Sequence, residues 1–116
     1  KAAVPDLIGL FKDKDERVRA SAAAGVGEIG PTAKSAIPGL TGLLKDVDPE
    51  VRLNAASSLG SFGADAKAAD KSLIPLLKDL DEGVRGQAAE TLGKIDADPK
   101  LAVPSLTTAL ADKHPG

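Results

Sequence analysis

Laid on itself at an offset of 33 residues, the chain aligns along its whole length without a gap. One position of the period holds Val4, Ile37, Asp70 and Val103, another Leu7, Leu40, Leu73 and Leu106, and a third Phe11, Leu44, Leu77 and Leu110. Asp13, Asp46, Asp79 and Asp112 align, as do Val18, Val51 and Val84, then Arg19, Arg52 and Arg85, then Gly27, Gly60 and Gly93, then Lys34, Lys67 and Lys100. A sustained repeat of this length restricts the chain to a stack of units in which each unit packs on its neighbours, a solenoid. The expected units are residues 3–35, 36–68 and 69–101 with a half repeat at 102–112, all within one domain spanning 1–116.

Each unit reads as two helices. In the first, helix A, the apolar residues Val4, Leu7, Leu10 and Phe11 fall at helical spacing, and Pro5, Pro38 and Pro104 sit near a helix start, where a missing N–H is harmless. Helix B begins after the turn, with Asp15, Asp48 or Asp81 as N-cap and Pro49 at the first helical position of the second unit. Along B, Val18, Ala22, Val26 and Ile29 share one narrow face, the expected buried stripe. Ala23 and Gly27, with their counterparts, lie on a flank where small residues let a neighbouring repeat come close. The chain has two aromatics, Phe11 and Phe62, and no Trp, Tyr, Met or Cys, so its interior must be built from Leu, Ile, Val and Ala. That favours helix-on-helix packing. The third unit departs from the pattern. Its proline is Pro75, and Asp70 and Lys71 stand where Ile37 and Pro38 stood, so helix A there is expected to begin near Ser72 or to kink before Pro75. Gly30 with Pro31, and Gly63, end helix B, the segments holding Lys34, Lys67 and Lys100 read as loops between repeats, and Val4, Leu7 and Phe11 are expected to be partly exposed because no unit precedes them.

Ankyrin repeats share this length but open on a Thr-Pro-Leu-His type motif, and tetratricopeptide repeats place Trp, Tyr and Phe at fixed positions. Neither pattern occurs here. The segment AIPGLTGLLKDVDPEVRLNAASSLGSFG, with Pro5, Pro38 and Pro104 in helix A, the turn aspartates Asp13, Asp46 and Asp79, and the Val-Arg pairs at Val18, Val51 and Val84, resembles the HEAT repeat family, in particular its short bacterial forms. The resemblance implies an all-α solenoid, a right-handed superhelix of about three and a half helix pairs. The A helices would lie on the convex face and the B helices on the concave one. A chain that opens on Lys1 in the approach to a helix also reads as a piece of a longer protein.

The sequence offers few groups for chemistry. At 116 residues, with 42% apolar and 28% charged residues, it suits a folded water-soluble domain, and a net charge of -2 with interspersed signs gives no basic stripe for nucleic acid. No apolar run approaches the ~18 to 20 residues that span a bilayer. Asp46 or Asp48 could be a general acid or base with Arg52 as an anion clamp. A catalytic group is needed once, however, and this arrangement recurs at every joint, so Asp13, Arg19, Asp46, Arg52, Asp79 and Arg85 read as a structural ladder within or between repeats. Lys34, Lys67 and Lys100, near several aspartates, read as a solvated edge, and His114 as a lone tail residue unable to build a metal site.

Deoxyhypusine hydroxylases use related repeats with His-Glu pairs that are absent here. A bilin lyase's pigment cleft would want aromatic, acidic and Cys or His groups, a combination nearly absent here, and helical-repeat DNA glycosylases rely on aromatic residues and a basic concave face that this chain does not offer. No cofactor, metal or catalytic residue is expected. The outward B-helix positions Arg17, Ser21, Glu28, Glu50, Leu53, Asn54, Ser57, Gln87, Glu90 and Lys94 vary between units, and they are the expected face for a protein or peptide partner. The expectation is therefore a non-enzymatic interaction or scaffold module. The alternatives are a non-catalytic part of a larger enzyme such as a bilin lyase, or a weak nucleic-acid-binding solenoid.

Overall fold

A computed structural model describes residues 3–95. The expected half repeat 102–112, Lys100 and His114 lie outside the described residues. Among the described residues six α-helices run α1 (Ala3–Leu10), α2 (Glu16–Ile29), α3 (Ile37–Leu43), α4 (Pro49–Gly60), α5 (Asp70–Leu73) and α6 (Glu82–Lys94), with 3₁₀ segments at Pro31–Ala36, Gly63–Ala69 and Ile74–Lys78. The B helices α2, α4 and α6 stack in a row, α2 on α4 and α4 on α6. The A elements lie along them, α1 on α2, α3 on α4, and the 3₁₀ segment after α5 on α6.

Local chemistry starts and stops the B helices. Asp15 Oδ1 accepts the Arg17 amide at 2.8 Å, Asp48 Oδ1 accepts those of Glu50 and Val51 at 2.8 and 3.3 Å, and Asp81 Oδ1 accepts that of Val84 at 3.1 Å. Each such cap stabilises its helix by about 1 kcal/mol. Gly30, at φ 87°, follows the last residue of α2 in a conformation that side-chain-bearing residues avoid, and Gly63 at φ 56° does the same just beyond α4.

The two described segments read as loops from the sequence, Pro31–Ala36 and Gly63–Ala69, are wound in 3₁₀ turns, with a kink at Ala33 in the first. Three residues per turn bring positions three apart onto one side, and Ala33 with Ala36, and Ala66 with Ala69, are buried in this way. Lys34 and Lys67 lie between them, exposed. Helix A of the third unit opens at Asp70, not Ser72. The Asp70 carboxylate, buried, accepts the Lys71 amide at 2.6 Å, and after one α-turn the backbone tightens to 3₁₀ geometry around Pro75. The helix thus starts two residues before the expected Ser72, and instead of the expected kink before Pro75 the winding changes from α to 3₁₀.

One aliphatic core, with Phe11 and Phe62 as its aromatic members, runs through the stack. Val51, Ala55, Leu59 and Phe62 on the second B unit, and Val84, Ala88, Leu92 and Ile95 on the third, are all buried. The first unit differs from the expected stripe: Ala22 and Val26 are buried, Val18 is half-buried, and Ile29 is 36% exposed. Val18 borders an open groove with Leu7, Leu10 and Ala22, a surface that the first repeat covers in the second. Of Val4, Leu7 and Phe11, expected to be partly exposed, Leu7 is half-buried, whereas Val4 and Phe11 are buried. Phe11 reaches the next repeat, where a Cβ on Gly39 would stand 2.8 Å from its ring.

Candidate functional site

The repeated aspartates and arginines meet at the turns between helices A and B. Arg19 presents Nε and Nη2 to the two carboxylate oxygens of Asp46 at 2.8 and 3.1 Å, and Arg52 does the same to Asp79 at 2.8 and 3.0 Å. Both pairs span 27 residues, so they join one repeat to the next. The remaining nitrogen, Nη1, donates within its own repeat to the carbonyl of the turn aspartate, Arg19 to Asp13 at 2.6 Å, Arg52 to Asp46 at 2.7 Å and Arg85 to Asp79 at 2.7 Å. The carboxylates of Asp13, Asp46 and Asp79 each also accept the amide two residues on, at 2.9, 3.0 and 2.9 Å. One guanidinium thus pins two consecutive turns in a planar, bidentate geometry that lysine could not reproduce.

Burial pushes the Asp46 carboxyl up. The hydrogen bonds from Arg19 and the Asp48 amide, with the charges of Arg19 and Arg52, outweigh it and leave the pKa below its ordinary value. Asp15 is also lowered, first by the side-chain hydrogen bond from the exposed Arg17.

A second set of ties holds B helix to B helix, and the sequence reading missed it. The Ser58 hydroxyl donates to the Ala23 carbonyl, the Thr91 hydroxyl to the Ala56 carbonyl at 2.8 Å, and the Asn54 amide to the Ala20 carbonyl at 3.0 Å. Ser58 and Thr91 occupy one position of the repeat and are both buried. That recurrence of a hydroxyl on an otherwise small flank is the signal that could have found them. Gly27 allows the approach, since a Cβ there would stand 3.1 Å from the Ser58 Cα.

The remaining outward positions divide. Arg17 and Ser21 line the open groove at the outer side of α2. Glu50 is exposed, and Leu53, half-buried, packs against the core. Glu28, Asn54 and Ser57 come together with Ser61 around a groove between α2 and α4 of about 290 Å³. Gln87 donates to Thr91 Oγ1 at 3.2 Å, and Lys94 pairs with Glu90 at 3.1 Å. Among the described residues no three His, Cys, Asp or Glu side chains gather closely enough to hold a metal ion, and no helix is long and apolar enough to cross a membrane.

A family model described as HEAT repeats matches residues 37–116, and another, described as HEAT repeat, matches residues 3–33. The chain belongs to the HEAT repeat family. Its stack of helix pairs is an all-α HEAT solenoid, the family's repeat scaffold. Crystal structures of engineered proteins share the fold: one at a TM-score of 0.69 and 26% identity over 91% of this chain and 50% of its own, and a second at 0.72 and 24% over 93% and 52%. A third engineered protein matches at 0.69 and 25% over 92% of this chain and 30% of its own. This HEAT chain therefore spans about half the length of the first two and less of the third. No curated protein matches it.

Proposed function

We propose that this HEAT solenoid is a non-enzymatic interaction or scaffold module that holds a protein or peptide on its B-helix face. The observation that carries this reading is the division of the charged and polar groups. The Asp-Arg ladder and the Ser58 and Thr91 hydroxyls are committed to joints, whereas Glu28, Ser57 and Ser61 gather at a groove on the B row. The test is to map, by amide chemical shifts, where peptides selected for binding to the chain sit. Shifts concentrated on α2, α4 and α6 are expected; shifts confined to α1 and α3 overturn the reading. Duplex and single-stranded DNA are expected to show no retention in a low-salt gel shift.

The single-domain organisation, with residues 102–112 as a closing half repeat, is part of the same proposal. Its support is Arg85, whose buried Nε has no hydrogen-bond partner among the described residues. The 27-residue step that joins Arg19 to Asp46 and Arg52 to Asp79 leads from Arg85 to Asp112. A double-mutant cycle of Arg85→Ala and Asp112→Asn in thermal unfolding should show coupling, and strict additivity would remove that support.

A further inference from the structure

The groove between α2 and α4 has a sister between α4 and α6, one period along the chain. Gly27, Asn54, Ser57 and Ser61 in the first correspond to Gly60, Gln87, Glu90 and Lys94 in the second. The protein covers the second groove itself. The Lys94 stem lies across the glycine, its Cδ 3.2 Å from where a Cβ on Gly60 would stand, and its ammonium reaches Glu90 at 3.1 Å. In the first groove Ser61 takes the lysine's place and the space is open. A carboxylate is still present, now from the other wall: Glu28 lines the groove and enters none of the ion pairs among the described residues. The Ser57 and Ser61 hydroxyls and the Asn54 amide stand around it, and no basic side chain lines it.

We infer that the α2–α4 groove receives a lysine side chain from a partner segment, its stem along Ala24 and Ser57 and its ammonium on Glu28. The inference rests on the reading of the B face as the binding surface. Lysine fits better than arginine on two grounds. The sister groove holds a lysine, and an ammonium can direct three donors to separate acceptors such as Glu28, Asn54 and Ser61, whereas a guanidinium is shaped for a flat bidentate partner.

The probe is a library of random linear peptides displayed against the intact chain. Binders are expected to carry a lysine at a fixed place, and its replacement by norleucine or Nε-acetyl-lysine should weaken binding severalfold. Glu28→Gln should weaken the lysine peptides and leave their norleucine forms unchanged, while Ser61→Lys, which supplies the side chain internally, should block them. A selection that returns no binders, binders without lysine, or binders indifferent to Glu28→Gln overturns the inference. Lysine-independent binders that shift the amides of the B face would still leave the broader reading standing; binders confined to α1 and α3 would overturn both.

Discussion

Each arginine of the ladder has two tasks on one planar group. Truncating Arg52 removes a bidentate bond to the next repeat and a bond to the Asp46 carbonyl, and leaves Asp79, whose side chain is 8% exposed, short of its main partner. Arg52→Ala is therefore expected to destabilise the fold by about 1 to 3 kcal/mol, visible as a lower thermal midpoint, while peptide binding at saturation is unchanged. Loss of binding without loss of stability would sink the structural role. Asp46 adds a pH dependence whose sign is set by its lowered pKa. The folded protein holds this carboxyl ionised below its ordinary value of 3.8, so its contribution is complete above that value and is lost as pH falls through the lower folded one. In acid titrations of stability, Asp46→Asn should flatten the slope over that window and leave the slope above it unaltered. The residue types of this ladder were legible in the sequence because they recur with the period. The partner of each arginine was not. A carbonyl six residues back and a carboxylate 27 residues ahead are equally distant from any periodicity argument, and only the stacking of the turns selects between them.

The helices themselves were largely legible, since caps, glycines and apolar spacing mark their ends. What escaped was the geometry of the connections: segments such as Pro31–Ala36 carry weak patterning, yet they wind in 3₁₀ turns, kinked at Ala33, that bury Ala33 and Ala36. The glycines of α3 separate conformational from packing effects within one helix. A Cβ at Gly42 would meet nothing within 4 Å, whereas one at Gly39 would stand 2.8 Å from the Phe11 ring. Gly42→Ala should stabilise by about 0.5 to 1 kcal/mol through helix propensity. Gly39→Ala gains the same propensity but must displace a rigid, buried ring that joins the first repeat to the second, and it should lower stability in urea unfolding. Equal effects at the two positions would mean that the approach of Phe11 to α3 is not tight.

At the level of the whole array, equivalent positions are not energetically equivalent, because a solenoid's stability is a sum over units and their neighbouring interfaces. Leu10, Leu43 and Leu76 hold one position of the repeat. Leu10 is 39% exposed beside the open groove, while Leu43 and Leu76 are each 7% exposed. Leu43→Ala removes a buried side chain and should cost about 2 to 5 kcal/mol. Leu10→Ala removes a side chain already in part hydrated and should cost less than half of that, the sequence change being the same. The 33-residue pattern alone assigns the two leucines one environment; their position in the stack assigns them two. Urea unfolding of the two variants measures the difference directly. If Leu10→Ala proves as costly as Leu43→Ala, the groove beside α2 must be covered in solution, and the outer face of the first repeat is then an interface.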